Sequence, residues 1–429
     1  MAQDRKHIVI IGGNFAGISA LQAITKQLPP KVDVTLIDSN DNFSWTPNIH
    51  EILSGVKTPG NVQICRKTLV HSLGGRFIQD RGTHIDHQKQ TVTLSSGATL
   101  AFDALIKATG MPTSANNHPS TYTFRSASDA LKISAKIDLL TRIKEQINII
   151  IIGGGFTGVE VLGELLRQYQ QSNKVKLALV EAGDRLVKTL PEVVSQDIVR
   201  LCDKSSASLY FNRRLSKQDN DAVYLSDDTK LPSDITIYTS GALLASMNSE
   251  QSPTIANYNQ VNESLQSTES KLVLCAGDSA SFSMNGLPLP KQSYYAQEMG
   301  KIAGVNALRL LSGKPLTSFS PKVKPVLLSF GDMNTYLVSG ELVLASPALV
   351  SMKEALYQLG SQKVMSSMPL LQRGTVLLNQ FKQSAQSALQ SDGNPYLPGK
   401  VLHNSKVLQA GKHSDVQSLA QSAFATLLE

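Results

Sequence analysis

An α/β fold with two Rossmann-like units and a C-terminal helical segment is what this sequence predicts. Three observations predict it. A strand, a glycine-rich turn, a helix and a second strand ending in an acidic residue follow one another twice. Each copy opens on an unbroken β-branched run, as strands buried on both faces of a parallel sheet require. From about Ala345 onward, apolar residues recur at helical spacing.

The first copy runs Ile8-Val9-Ile10-Ile11, then Gly12-Gly13-Asn14-Phe15-Ala16-Gly17, then an expected helix over Ile18 to Gln27. Its second strand, Val32 to Ile37, ends at Asp38. The second copy runs Ile149 to Ile152, then Gly153-Gly154-Gly155-Phe156-Thr157-Gly158, then a helix to about Gln168. Its second strand, Val175 to Val180, ends at Glu181. Between the copies lie β-like Thr91 to Leu94 and Ala104 to Lys107, closing at Ala108-Thr109-Gly110. After the second copy, Ile235 to Tyr238 closes in a similar way at Thr239-Ser240-Gly241. The polar stretch Met247 to Ser270 reads as a linker.

Leu272-Val273-Leu274 then leads into Cys275-Ala276-Gly277-Asp278 and a helix-like stretch over Gln292 to Leu311. This reads as the returning half of a unit that the second copy interrupts. The expected division is residues 1–122 with 266–344, then 123–265, then 345–429. In the last part Leu349, Met352, Leu356 and Leu359 make one apolar stripe. Leu370, Leu371, Leu377, Leu378 and Phe381 make another, with Lys353, Lys363, Arg373 and Lys382 interleaved. Such a pattern suits an interfacial helix, or a helix packed on the body of the protein or on a second subunit.

A chain of 429 residues is too long for one ordinary core. No run of about 18 apolar residues is present, so no transmembrane helix is expected. Met1 to His7 lacks the apolar core of a signal peptide, and cytoplasmic residence is expected. Cys65, Cys202 and Cys275 are far apart and form no C-x-x-C, so all three are expected to be buried or neutral thiols. No metal site and no nucleic-acid partner are expected. The formal charge is +7, and Lys291, Lys301, Arg309, Lys314, Lys322 and Lys324 gather against only Glu298 and Asp332. That patch suits anionic lipid, cofactor phosphates or plain solvation.

The glycine turns carry the chemistry. The first Gly permits the tight turn, the second lets backbone approach a pyrophosphate, and the third lets the helix pack on the strand. The diphosphate then meets the positive end of a helix. Gly153, Gly155 and Gly158 fill all three places in the second copy. In the first, Gly12 and Gly17 are present and Asn14 takes the middle place, where its tolerance of left-handed backbone helps and its side chain crowds the phosphate. Each copy has its acid about 20 residues on, as a dinucleotide fingerprint requires. A plain glycine turn in an α/β protein is the alternative for either copy alone. Asp38 and Glu181 are expected to accept from a ribose 2′-hydroxyl, and Glu181 would repel a 2′-phosphate, favouring NADH over NADPH. Arg185, close by in sequence, would soften that preference. Two dinucleotide sites suggest FAD plus a nicotinamide cofactor, since a flavin accepts hydride and passes electrons on singly.

With these residues the chain resembles the flavoproteins with two dinucleotide-binding domains, of glutathione-reductase-like architecture. Within them it resembles type II NADH:quinone oxidoreductases and apoptosis-inducing-factor-like quinone reductases. The likeness covers about Lys6 to Leu344. It rests on Gly12 to Gly17, Ala108-Thr109-Gly110, Gly153 to Glu164, Glu181-Ala182-Gly183, Ala276 to Ala280, and Pro290-Lys291 with Tyr294 and Ala296. The resemblance implies that Gly277 and Asp278 bind the FAD ribitol. It implies that Pro290 to Gly300 opens a helix aimed at the isoalloxazine, and that Phe43 to Pro47 covers the flavin edge. It places Glu164 near flavin and nicotinamide, with Glu160 one turn away on the same face or out in solvent. Gly241, Phe156 and Thr157 join the nicotinamide side, and Lys291, Tyr294 and Glu164 are the candidates for the reacting centre. The implied activity is electron transfer from NADH through FAD to a quinone, at a membrane surface reached by the C-terminal helices on the inner face.

There are departures. Many type II dehydrogenases carry Ala-Gln-x-x-x-Gln where this chain has Ser293-Tyr294 and Glu298, and Ala296-Gln297 is out of register. The Pro-Lys-x-x-Tyr-x-Ala form is closer to the apoptosis-inducing-factor-like branch. Tyr294 and Tyr295 are suited to stacking on a quinone and equally to packing. Ser39 to Ser54 holds no cysteine pair, as a disulfide reductase would need, and no cysteine sits where a sulfide:quinone reductase has its own. A soluble reductase of a ferredoxin- or rubredoxin-like acceptor, dimeric through its C-terminus, stays open, as does a non-catalytic redox sensor.

Overall fold

The computed structural model describes residues 5–111, 118–205, 207–239, 259–284 and 286–365, with the backbone of 400–403 and 406–409. Lys6–Ile11 pairs in parallel with Val32–Asp38 on one side and Ala104–Lys107 on the other. Arg76–Gln79 and Val273–Cys275 complete this five-stranded sheet at its two edges. The second sheet repeats the order: Ile147–Ile152 lies between Val175–Val180 and Ile235–Tyr238, with Ala207–Tyr210 and Thr121–Thr123 outside. Ile8, Val9, Ile10, Ile149 and Ile151 are fully buried, as unbroken β-branched runs covered on both faces must be.

The chain leaves the first sheet after Ala104–Lys107 and returns to it at Val273–Cys275, so the second sheet is an insertion. Thr121–Thr123 pairs as a whole with Ile235–Tyr238, ahead of the expected division at 122. At the other crossing Asn259–Gln260 pairs with Ala280–Ser281. The expected helix over Ile18 to Gln27 is Phe15–Thr25. The one over Gln292 to Leu311 is Ser293–Leu311. These two helices pack closely because Gly300 has no side chain: a Cβ there would sit 2.1 Å from the Ala16 carbonyl oxygen.

The end of the chain differs from expectation. Val326–Phe330, Asn334–Ser339 and Leu342–Ala345 form an antiparallel sheet of their own, extended by Lys400–His403 and Lys406–Gln409. Among the described residues after 345, the helix Val350–Met365 is thus joined by the strands Lys400–His403 and Lys406–Gln409. That helix is part of the body, with Tyr357, Val364 and Met365 buried. Its Gly360 faces Trp45 so closely that a Cβ would lie 2.5 Å from the indole. The second apolar stripe lies outside the described residues. Among the described residues no helix is long and apolar enough to cross a membrane.

Candidate functional site

Both glycine turns are built alike. Gly12 has φ +99° and Gly153 has φ +111°, backbone that side chains rarely adopt. A Cβ on Gly17 would lie 1.8 Å from the Gly12 oxygen, and one on Gly158 at 1.8 Å from the Gly153 oxygen. Any larger residue would push helix from strand. A Cβ on Gly12 would lie 2.2 Å from the Ala108 oxygen, so the turn rests on the Ala108-Thr109-Gly110 segment. Phe15 and Ala16 are buried and Phe156 and Thr157 half-buried in the first turns of their helices. Gly241 lies outside the described residues.

Asn14 is extended at φ −100°, so left-handed tolerance is not what places it there. It precedes the helix without a side-chain capping bond, and its Oδ1 is buried without a partner. Thr109 Oγ1, across the turn, is likewise buried and unpartnered. Leaving such groups unsatisfied is costly. A hydroxyl and an amide that rotates to present its NH₂ both suit phosphate oxygens at a helix N-terminus. The residues present therefore fit a bound diphosphate. At Gly155 the same direction is open space.

The two acids hold equivalent places. Gly13 N donates to Asp38 Oδ2 at 2.7 Å, and Gly154 N donates to Glu181 Oε2 at 2.6 Å. Each carboxylate ties down the middle of its own turn and keeps lone pairs for a ribose. Gly183 N gives Glu181 a second bond at 2.6 Å. The Arg185 guanidinium is turned to the Leu190 and Lys188 carbonyls, so it does not offset Glu181.

Gly277-Asp278 abuts the start of helix Ser293–Leu311: a Cβ on Gly277 would lie 3.1 Å from Ala16 Cβ and 3.5 Å from Ala296 Cβ. Burial raises the Asp278 carboxyl above the usual range, opposed by Lys291 and Arg125. Lys291 Nζ donates to the Asp278 and Ala280 carbonyls, both at 3.1 Å. A pocket here is lined by Asp278, Leu289, Lys291, Tyr295, Ala296 and Met299 among others. Tyr294 is not in that lining. Its hydroxyl donates to the Lys322 carbonyl at 3.1 Å, and Lys324 Nζ sits 4.5 Å from its ring centroid. Buried Tyr295 faces the pocket instead.

The glutamates of helix Phe156–Tyr169 enter a buried charge network that sequence spacing did not reveal. Glu164 is 2 % exposed, bonded by Ser54 Oγ, with Arg167 Nη1 at 3.9 Å. Burial, then neighbouring Glu51, push its carboxyl up to about 7. Glu160 is not a solvated carboxylate. It accepts from Lys353 Nζ at 2.7 Å, and His50 Nδ1 lies 3.5 Å from its other oxygen. Lys353 Nζ also meets His50 Nε2 at 3.0 Å. An ammonium can only donate, so the neutral imidazole carries its proton on Nδ1, toward Glu160. Burial, then Lys353 and Lys57, hold His50 well below its ordinary value. Glu51 Oε2 is 3.4 Å from Lys57 Nζ, an ion-pair contact without hydrogen-bond geometry. Lys57 continues to Glu354 at 2.7 Å and lies 4.1 Å over the Tyr357 ring.

Pro47 and His50 share the short 3-10 helix Thr46–Ile52, so the network underlies the segment expected to cover the flavin edge. Just ahead of it in sequence, Phe43 and Trp45 each meet Phe15 edge to face, with Phe15–Trp45 centroids 5.2 Å apart. Of the thiols, Cys202 and Cys275 are buried and raised to about 12, which keeps them neutral at physiological pH. Cys65 is exposed at the end of the short strand Gln63–Cys65, and hydrogen bonding with Thr68 lowers its thiol from the ordinary value.

Comparison with known proteins gives a consistent picture. The type II NADH:quinone oxidoreductase of Haemophilus influenzae is 24% identical over 381 residues, covering 76% of this chain and 85% of that protein. Human ferroptosis suppressor protein 1 is 26% identical, covering 76% of this chain and 86% of that protein. The solved structure of NDH2 from Plasmodium falciparum in complex with NADH superposes with a TM-score of 0.72 at 16% identity, over 90% of this chain and 99% of that one. The pyridine nucleotide-disulphide oxidoreductase family model matches residues 6–300, and the chain belongs to that family.

Proposed function

We propose that this protein is an FAD-dependent NADH:quinone oxidoreductase. The observation that carries the reading is the pair of equivalent glycine turns, each with its acid bonded to the second residue of the turn. Bound FAD would supply the centre that accepts hydride and passes electrons on toward a quinone. The first turn, Asp38, Ala108-Thr109-Gly110, Pro47, Gly277-Asp278 and Ala296 would hold FAD. The second turn, Glu181 and Gly241 would hold NADH. In place of the expected boundaries at 122, 266 and 344, the strand pairings favour an FAD unit of about residues 1–120 with 259–325, an NADH unit inserted between them, and a third part from Val326 onward.

Reducing a quinone with NADH consumes one proton from solvent. Glu164, raised to about 7, is about half protonated near neutral pH, and its Oε2 accepts from Ser54 Oγ. Lys353 and neutral His50 fix Glu160 beside it. These residues orient and keep a proton under the Thr46–Ile52 segment, and Lys291 braces the Asp278 turn through its carbonyls. Tyr295, rather than Tyr294, lines the pocket at Asp278 and Ala296, the residues assigned here to FAD.

Contact with a membrane surface belongs to the same proposal. Leu287 is 70% exposed and Val323 69% exposed, beside Lys322 and Lys324. Vesicles containing anionic lipid are expected to retain the protein at low salt and release it at high salt. Turnover is tested with a panel of soluble quinones, with flavin content measured on the same sample. NADH oxidation that depends on quinone supports the reading. NADH oxidation only with ferredoxin or rubredoxin favours the soluble-reductase alternative, and flavin without any turnover favours the sensor.

A further inference from the structure

The two glycine turns differ by one cation. Arg66, 3% exposed, lies behind the first turn. Its Nη1 is 2.9 Å from Asp38 Oδ1, its Nε donates to the Gly13 carbonyl at 2.8 Å, and Nη1 also bonds the Asn40 carbonyl. Its own backbone N donates to the Asp41 carbonyl at 2.7 Å, so side chain and main chain grip the same loop. The guanidinium stem fills the space a Gly13 side chain would need, with Cδ 2.6 Å from the Cβ position. Behind the second turn no cation pairs with Glu181 among the described residues; two backbone amides hold it.

We propose that Arg66 is a positioning residue that keeps the first turn closed around the diphosphate and so makes FAD the retained cofactor, while the second turn, without such a clamp, exchanges NADH. This rests on the FAD and NADH assignment above. Three different acceptors on one planar fork are within reach of a guanidinium and not of an ammonium. Held from three sides, the turn keeps its binding shape when empty, which lowers the ordering cost of rebinding. The emptied site also leaves the Thr109 hydroxyl and the Asn14 carboxamide without a phosphate to donate to, which opposes release.

The test is the rate at which FAD leaves the full-length protein, followed by the flavin fluorescence that appears on dilution. It is paired with NADH titration of the loaded protein. Arg66→Met is expected to release FAD roughly 10- to 100-fold faster, with Arg66→Lys between it and the unsubstituted protein. NADH affinity is expected to stay within about twofold. FAD release at the unsubstituted rate overturns the proposal, and so does an equal loss of NADH affinity. The double variant Asp38→Asn/Arg66→Met leaves no stranded buried carboxylate and protects against a failure to fold. It is expected to release FAD fast; restored retention would show that Arg66 is only a counter-charge and would overturn the proposal. Failure of the underlying assignment looks different: the unsubstituted protein then neither retains FAD nor binds NADH, and the proposal falls with it.

Discussion

Lys353 reaches back across 193 residues to Glu160, donating from Nζ to Oε1 at 2.7 Å. The same ammonium meets His50 Nε2 at 3.0 Å and Ser329 Oγ at 2.5 Å. The helix Val350–Met365 thereby inserts a cation among side chains from three other elements. A cut after Ser346 would remove that cation along with any surface contact, whereas a cut after Met365 would leave it in place.

Lys353→Met should therefore be strongly destabilising, by about 3–5 kcal/mol, because it leaves Glu160 buried and unpaired. Denaturant unfolding measures this. The double variant Lys353→Met/Glu160→Gln is expected to recover much of the loss. Equal instability of single and double variants would assign the damage to packing.

Stability should fall as pH rises toward neutrality, through Glu164. Its carboxyl titrates at about 7 when folded, up from an ordinary 4.5. Below 4.5 both states hold the proton and nothing is gained or lost. Between 4.5 and about 7 only the folded state keeps it, so stability declines with pH and levels off above. The span corresponds to roughly 3 kcal/mol, an order-of-magnitude figure for a buried carboxyl. Glu164→Gln should flatten this part of the profile, and an unchanged profile would show that other groups cause it.

Glu181 should decide between NADH and NADPH. Glu181→Ser is expected to lower the ratio of kcat/KM for NADH over NADPH by about tenfold or more, since a carboxylate no longer faces the 2′-phosphate. A native protein that already prefers NADPH would contradict the assignment.

Gly17→Ala is expected to abolish flavin retention. Its Cβ would overlap the Gly12 carbonyl oxygen at 1.8 Å, and that atom is backbone rather than the end of a flexible side chain. Flavin absorbance of the purified variant reports it; full occupancy would mean the turn can open without cost.

Much of this was legible in sequence because it is local. Ile8 to Ile11 and Ile149 to Ile152 announce buried parallel strands, and each glycine turn follows within two residues. What sequence missed is rotation and distance. Tyr294 and Tyr295 are one helical step apart, and the motif gives their position without saying which faces the pocket. Lys353 stands in an apolar stripe, where a lysine reads as a snorkelling surface cation until Glu160 is brought to it. Arg66 has no motif at all; only the fold sets it behind Gly13. The strand Lys400–His403 escaped because its pairing with Leu342–Ala345 is non-local and leaves no periodic mark, and Lys406–Gln409 is added on Lys400–His403 in turn.

Electrons are expected to pass from NADH through FAD to a quinone within one polypeptide, and two half-reactions followed anaerobically on a single sample test this. NADH should bleach the flavin absorbance, and a soluble quinone added afterwards should restore it, each at a rate no slower than steady-state turnover. A flavin that NADH does not bleach, or that stays bleached when quinone is added, would contradict the account.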